Sequence, residues 1–339
     1  MALESTFKTF EAIGNKEDVH NAIYDISPNE TPFLSMAKRL TARNKTHEWQ
    51  TDRLAAASAS NATIEGDDAA ADTATPTIRL KNYAQLMDKV AYVSTTQEAI
   101  DHYGRDSEMA YQMAKRSKEL KRDLEAALVQ NNAATTGAAG AAAHKMASFE
   151  SWLHTGGVNS AVLSAPNSTT IAQSSTAQTT AGWTTSTGIP TSAPVDGTTA
   201  GTITESIVKG CIQRTWDAGG ETAVIMVPGI GKQKLSGSFT GVATRYREIT
   251  KGNMDSIGGM DLYVSDFGEH KIVPNRFMRS SVLFGIDPNY IGVAYLQPFN
   301  TFELAKTGHA MKRAISVEAT LVVQNPLAHF KVSDVNFAL

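Results

Sequence analysis

The sequence predicts an α+β fold, and three observations support that prediction. Residues from about 106 to 131 repeat apolar side chains at helical spacing. Beyond residue 220, short β-branched runs are separated by Gly, Pro and Asp turns. Residues 315–323 alternate apolar and polar side chains, the period of a strand with one buried face. Together these patterns indicate one long helix combined with strands that are joined mainly by turns.

Length and charge exclude several classes of protein. A chain of 339 residues can build one large core or two ordinary ones. With 31 basic and 34 acidic residues, the net charge of −3 provides no cationic field for tight binding of nucleic acid. The single cysteine, Cys211, cannot form an internal disulfide. No apolar run is long enough to predict a membrane span, and because residues 1–19 lack an apolar signal core we expect synthesis in the cytoplasm.

Residues 1–45 predict an arm with two short helices. The second helix should begin where Thr31-Pro32 supplies a cap residue followed by a first-turn proline. Such a segment has too little apolar surface to fold alone, so we expect it to pack on something else.

Residues 46–93 predict two extended segments around a long polar tip. The segment at 47–51 is strand-like, and further extended stretches lie within 77–93. The tip between them is rich in small and acidic residues, among them Glu65, Asp67 and Asp68. A loop of this length is either a mobile surface hairpin or a segment that a partner orders.

The predicted long helix should act as a strut. Residues 104–107 supply its capping residues, and Leu120, Leu124 and Leu128 continue its apolar face. Lys121 and Glu125 are spaced as an i,i+4 ion pair, which predicts that both lie on an exposed face.

Residues 150–201 differ from the rest of the chain. No charged residue occurs between Glu150 and Asp196, and Ser, Thr, Ala and Gly dominate. The composition predicts a surface insertion, while Trp152, Trp183 and Ile189 indicate that it is not wholly disordered.

A second helix should follow this segment. Thr202 and Glu205 fit a capping box, and the apolar face predicted for this helix includes Cys211 and Trp216 before Gly219 ends it. Four short strands are expected next, at 223–227, 261–264, 271–273 and 282–286.

No motif predicts catalysis, a cofactor or a metal site. Gly229-Ile230-Gly231-Lys232 follows a strand, but it lacks the glycine spacing and the Ser or Thr of a phosphate-binding loop. No two of the eight histidines have metal-ligand spacing. The glycine motif is therefore interpreted as a tight turn, and Cys211 as a core residue.

Several segments together resemble the major capsid (major head) proteins of tailed bacteriophages with the Hong Kong 97-type fold. Their order and spacing carry the resemblance more than any one of them. They are IGN at 13–15, YDISP at 24–28, TPF at 31–33, HEWQTD at 47–52, ELKRD at 119–123, WDAGG at 216–220, YVSDFG at 263–268, VPNRF at 273–277 and LAKTG at 304–308.

The resemblance implies a division of the chain into six parts. It also implies that the long helix is the spine of a peripheral domain and that the acidic tip belongs to an extended loop. The parts are an N-terminal arm at 1–45, the extended loop at 46–93, the peripheral domain with its spine helix at 94–149, the insertion at 150–201, an axial domain at 202–285 and return strands of the peripheral domain at 286–339.

The implied function is structural and not enzymatic. Copies of the chain would assemble into hexamers and pentamers of an icosahedral virion shell around double-stranded DNA, which they contact non-specifically. Scaffolding, portal and decoration proteins would be the other partners. The residues expected to contact neighbouring copies are Phe33, Trp49, Glu65, Asp67 and Asp68. Two alternatives stay open: an encapsulin-like nanocompartment shell, and a soluble hydrolase or nucleotide-binding enzyme.

Overall fold

The computed structural model describes residues 30–52, 54–55, 57–66, 68, 76–153, 187–195, 200–239 and 261–337, together with the backbone of 168–170. The helices in this part of the chain are α1 Pro32–Met36, α2 Thr95–Ala99, α3 Glu108–Val129, α4 Phe149–Trp152, α5 Glu205–Asp217 and α6 Gly229–Phe239. The strands are β1 Lys38–Thr41, β2 Thr46–Thr51, β3 Ile78–Tyr83, β4 Gln85–Ser94, β5 Ser168–Thr170, β6 Val224–Val227, β7 Leu262–Ser265, β8 Gly268–Pro274, β9 Leu283–Ile286, β10 Ile291–Glu303, β11 Ala310–Val323 and β12 Phe330–Ser333.

The strands form three sheets. One has four strands in the order β1-β10-β11-β4, with β1 parallel to β10. The second has the order β5-β12-β9-β6-β8-β7 and mixes parallel and antiparallel pairs. The third is the antiparallel hairpin of β2 and β3. With its helices, the chain is a mixed α+β protein.

The chain divides into two compact units. In the described part, unit 1 comprises residues 89–118 and 301–315, and unit 2 comprises 30–88, 119–300 and 316–337. The boundary between them falls within α3, β4, β10 and β11. Unit 2 contains the whole six-stranded sheet.

Helix α3 confirms the predicted long helix. It spans 22 residues, about 33 Å at 1.5 Å per residue. At its start the hydroxyl of Ser107 accepts the backbone N–H of Ala110, as expected of a capping residue. The carboxylate of Glu98, on α2, accepts the Ser107 hydroxyl and the N–H of Met109 at 2.6 and 3.0 Å.

The core of unit 2 includes a layer between α5 and the six-stranded sheet. Val208, Cys211 and Ile212 of α5 pack with buried side chains of β6, β9 and β12. Cys211 is 2% exposed, which confirms its interpretation as a core residue. A Cβ atom on Gly285 would lie 2.0 Å from the ring of Phe330, so only glycine fits there.

Helix α5 also corrects two predictions. It begins at Glu205, and no capping box forms, because the Glu205 carboxylate bonds instead to Lys209 at 3.0 Å and to the Tyr263 hydroxyl at 3.2 Å. Trp216 is 58% exposed and does not join the apolar face. Its ring lies against Phe267, with 5.4 Å between centroids. The helix ends as predicted, with Gly219 at a φ of +86°.

Strand β11 is more buried than its alternating pattern predicts. Residues 314–317 and 319–323 are all buried, including the polar Thr320. The predicted strand is therefore present, but the prediction that one of its faces is exposed is wrong. The hairpin of β2 and β3 contributes to this burial: Trp49 donates its indole N–H to the carbonyl of Val323, and Asn82 donates to that of Leu321.

The predicted arm and insertion are only partly described. Residues 32–41 form α1 and β1, which lie within unit 2, so this part of the predicted arm packs on the rest of its own chain. Glu150, Ser151, Trp152 and Leu153 are buried, as is Ile189. The prediction of a surface insertion therefore concerns residues 154–186, which lie outside the described residues apart from the backbone of β5.

Candidate functional site

The loop expected to reach neighbouring copies connects the two strands of a regular hairpin. Strands β2 and β3 are paired antiparallel from Thr46 opposite Tyr83 to Thr51 opposite Ile78, which confirms the two extended segments. Beyond the last pair, Leu54 is 94% exposed and Ile64 is 77% exposed. Burial of such exposed aliphatic side chains by a partner would be favourable, because it removes apolar surface from water.

The acidic residues of the tip are exposed where they are described. Glu65 and Asp68 both lie at the surface, and the intervening Gly66 has a φ of +87°. Asp67 lies outside the described residues. The structure therefore leaves Glu65 and Asp68 accessible, as a contact with a neighbour requires.

Trp49 is only half available as a contact residue. Its indole N–H donates to the carbonyl of Val323 at 2.9 Å, and its ring lies 5.5 Å from that of Trp152. Burial also lowers the pKa of the adjacent His47. The part of Trp49 that remains at the surface is a candidate for contact, while the rest joins the hairpin to β11 and α4 within unit 2.

Phe33 is a core residue, and its predicted contact with a neighbouring copy is corrected. Its side chain is 0% exposed, and its ring packs 5.3 Å from that of Phe149. A fully buried ring has no surface to offer to another subunit. Its burial follows from the packing of α1 against α4 within unit 2.

Glu125 is a charged residue that the sequence pattern wrongly predicts to be exposed. The predicted exposed pair with Lys121 does not fit, because Glu125 is 0% exposed. Its carboxylate accepts the N–H groups of Phe33 and Leu34, each at 2.8 Å, and the side-chain amide of Asn275 at 2.7 Å. Burial raises the pKa of this carboxyl, although the three donors favour its charged form. The sequence offers no local signal for this position, because its spacing from Lys121 matches that of an exposed ion pair.

The glycine motif does not form a phosphate-binding loop. Gly229 is already the first residue of α6, so the motif forms the first turn of a helix. The ammonium group of Lys232 is paired with the carboxylate of Asp261, and that contact holds the pKa of Asp261 below its usual range. The lysine thus has a partner within the chain.

One Ser and His pair has the contacts of a turn rather than of a catalytic centre. The Ser265 hydroxyl lies 2.6 Å from Nε2 of His270, and Nδ1 of that buried ring faces the carbonyl of Thr222. The same hydroxyl accepts the N–H of Phe267 at 3.2 Å. These bonds hold the turn between β7 and β8.

In the described ranges, no group of three or more His, Cys, Asp or Glu side chains could hold a metal ion, and no helix is long and apolar enough to cross a membrane.

The comparison with protein families decides the identity of the chain. The family model of the SU10 major capsid protein matches residues 4–336. The chain belongs to the SU10 major capsid protein family. Its function is therefore that of a phage major capsid protein, a structural subunit of the virion.

Individual relatives agree with the family match. The major capsid protein of Escherichia phage Phieco32 is 28% identical over 354 residues, covering 97% of this chain and 96% of the relative. The capsid of Cyanophage A-1(L) has a TM-score of 0.61 at 12% identity, covering 97% of this chain and 98% of that one. The capsid of the native GTA particle has a TM-score of 0.60 at 11% identity, covering 99% and 100%. At these identities the solved structures show a shared capsid fold.

In a capsid protein, exposed apolar side chains are candidates for contacts between copies. Unit 1 is the smaller of the two units, and its described part exposes five large apolar side chains. Tyr92 on β4 is 61% exposed, and the ammonium group of Lys312 lies 5.1 Å from its ring centroid. The other large exposed side chains of this unit are Val90, Ile100, Tyr103 and Phe302.

Proposed function

We propose that this capsid protein assembles into the hexamers and pentamers of an icosahedral shell that encloses the double-stranded DNA of a tailed phage. The single observation that carries the proposal is the family match over residues 4–336. Electron microscopy of particles formed by the expressed chain tests it. Closed shells built from rings of five and six subunits are the expected result, and a chain that stays monomeric under all assembly conditions would contradict it.

The Hong Kong 97-type fold is the finer architecture that we propose. It is supported by the long helix α3, by the hairpin of β2 and β3 with its long connecting loop, and by the six-stranded sheet beside α5. In this assignment the extended loop is 46–93, the axial domain is 202–285, and the return strands are 286–339. The N-terminal arm is residues 1–29, because α1 and β1 are packed in unit 2.

We further propose that the acidic loop tip of one copy seats against unit 1 of the next copy. Residues 52–77 contain five acidic residues and one basic residue, with the exposed Leu54 and Ile64 among them. Residues 303–313 of unit 1 carry three basic residues and one acidic residue near the exposed end of β10. The two surfaces thus complement each other in charge, and each offers apolar side chains. A contact between different surfaces of identical copies generates a ring when its rotation closes.

Reversing the charges on each side tests this contact. Glu65→Lys with Asp68→Lys should lower particle yield, and so should Lys306→Glu with Arg313→Glu. Combining all four changes should restore much of the yield, because opposite charges face each other again. Each exposed pair contributes only about 0–1 kcal/mol. Because the contact recurs around every ring, these small free energies add up over the assembled particle.

A matched control changes the same charge elsewhere. Asp217→Lys with Glu221→Lys reverses two exposed acidic residues outside the loop and should assemble like the wild type. If the combined variant yields no more particles than either half, the loop tip does not meet this basic surface.

We also propose scaffolding, portal and decoration proteins as partners, together with packaged DNA that is contacted non-specifically. The chain is made in the host bacterial cytoplasm.

An encapsulin-like nanocompartment is the second candidate for the function of the shell. The family model and the curated relative, both phage capsid proteins, favour the phage shell. Imaging the contents of particles made during infection separates the two, since dense DNA supports one and a protein cargo the other. Size-exclusion chromatography tests the enzyme alternative, which requires a small oligomer.

A further inference from the structure

Glu125 joins three separate parts of unit 2 through one buried carboxylate. Its Oε1 accepts the N–H of Phe33 at 2.8 Å and the Nδ2 group of Asn275 at 2.7 Å. Its Oε2 accepts the N–H of Leu34 at 2.8 Å. The carboxylate sits on α3, the two backbone donors begin α1, and Asn275 follows β8. One side chain therefore ties the start of α1 to the long helix.

The start of α1 depends on this carboxylate because its own residues do not cap it. The first N–H groups of any helix have no partner within the helix. Thr31 stands at the cap position, yet its side chain makes no capping hydrogen bond. Pro32 has no N–H, so Phe33 and Leu34 supply the first two backbone donors of the helix, and both point at Glu125. The helix is capped from a residue 92 positions away in the chain.

We infer that Glu125 is a positioning residue for assembly: its carboxylate clamps the start of α1 to α3 and so fixes the position of Glu30, the residue next to the proposed N-terminal arm. This inference rests on the proposed shell function, in which residues 1–29 form the arm that reaches neighbouring copies. It assigns to α1 the role of an anchor at the root of the arm. The ring of Phe33, packed against Phe149, holds the same anchor from its apolar side.

A purely stabilising role would not require a charge at this position. Burying a carboxylate is costly, and a well-packed apolar residue often stabilises a core as well as a buried ion does. What an apolar residue cannot supply is directed bonding to two consecutive backbone donors. The main effect of the Glu125 hydrogen bonds is therefore to fix the position of α1, and their contribution to the free energy of folding is secondary.

Glu125→Gln tests the clamp with little change in size. Glutamine has one acceptor oxygen, and its NH₂ group would face a backbone donor. The subunit should fold, with the same circular dichroism as the wild type. The amides of Phe33 and Leu34 should exchange with deuterium about ten- to a hundredfold faster, as expected when a hydrogen bond to a charged acceptor is lost. Particle yield should fall about tenfold or more, because a displaced arm misses its neighbour in every copy.

Two further variants separate positioning from capping. Glu119→Gln removes the same charge from the same helix at a site that is not buried, and it should assemble like the wild type. Thr31→Asp added to Glu125→Gln supplies a local cap for α1 without a tie to α3. This double variant should regain slow amide exchange at Phe33 and Leu34 while particle yield stays low.

The outcomes are distinguishable from a failure of the shell function itself. If wild type and Glu119→Gln form no particles, the proposed shell function fails. If they form particles and Glu125→Gln does so equally well, the clamp is overturned alone. Restoration of assembly by Thr31→Asp would also overturn it, because local capping would then suffice. A chain that cannot fold even with Thr31→Asp would assign Glu125 to folding and likewise contradict the inference.

Discussion

The two compact units of this capsid protein bury their apolar side chains to very different degrees. Unit 2 encloses Trp152, Phe149 and Phe284 completely, together with many aliphatic residues. A small buried cluster in unit 1 contains Ala91, Val93 and Met109, with two partly buried methionines beside it. The same unit leaves Tyr92 and four other large apolar side chains exposed.

This difference separates folding from assembly. A core with fully buried aromatic rings supplies most of the free energy that holds one subunit together. A region whose large side chains stay exposed gains that free energy only when another surface covers them. Unit 2 therefore determines most of the stability of the single chain. Unit 1 supplies one of the two surfaces that we assign to contacts between copies, and the other is the exposed loop tip of unit 2.

The largest expected effect on the single chain is that of Phe149→Ala. The Phe149 ring touches those of Phe33, Phe284 and His329 at 5.1–5.3 Å between centroids. Its loss should lower the free energy of unfolding by about 3–5 kcal/mol, measured by urea denaturation of unassembled subunits. Phe302→Ala in unit 1 makes the same change at a 44% exposed site and should cost about 0.5 kcal/mol or less. Equal costs at the two sites would break the comparison.

An acid-dependent loss of stability should also come from unit 2. Burial lowers the pKa of His329 from 6.5 to about 3, and its Nδ1 accepts the N–H of Asp287 at 3.1 Å. The neutral ring stabilises the fold above pH 6.5, and this stability is lost as the pH falls from there toward 3. The loss should reach about 2 kcal/mol at pH 5, since each pKa unit is worth about 1.4 kcal/mol.

Comparison with His329→Asn isolates this contribution. Asparagine can still accept the N–H of Asp287 but does not titrate. Urea denaturation at pH 7 and pH 5 should show a smaller acid loss for the variant than for the wild type. Identical pH dependence would mean that other groups cause the acid loss.

The effect of Tyr92→Ser on the single chain should be as small as that of Phe302→Ala, although this variant tests assembly most directly. Because the side chain is 61% exposed, the free energy of unfolding should change by about 0.5 kcal/mol or less. Particle yield should nevertheless fall, because the ring and the adjacent Lys312 belong to the surface that we propose for the neighbouring loop. Tyr92→Phe keeps the apolar ring and serves as the control. Normal particles from Tyr92→Ser would remove this ring from the contact.

The elements that the sequence predicts well are those with long or repeated patterns. The helix expected at 106–131 is α3, and Leu120, Leu124 and Leu128 on its apolar face are fully buried. The strands expected near 223–227 and 282–286 are β6 and β9. Local periodicity suffices in these cases because one face of each element meets the core.

The wrong predictions share a different cause. Glu125 and Lys121 fit an exposed ion pair by spacing, and residues 315–323 fit a half-exposed strand by alternation, yet Glu125 and most of β11 are buried. In each case a distant segment covers the expected exposed side: α1 over Glu125, and the hairpin of β2 and β3 over the end of β11. Phe33 was assigned to a neighbour for the same reason, since its partner Phe149 lies far along the chain.

Sequence patterns alone predict the long helix, most of the strands and, through the order of the matching segments, the resemblance to phage capsid proteins. These features depend on residues that are close in the chain or on a pattern spread along it. Three features depend on segments that meet in the folded chain: Glu125 caps α1, Phe33 belongs to the core, and the rings of Tyr92, Tyr103 and Phe302 stay at the surface. Burial is set by whichever segment lies opposite, and a sequence pattern records only the periodicity of its own segment.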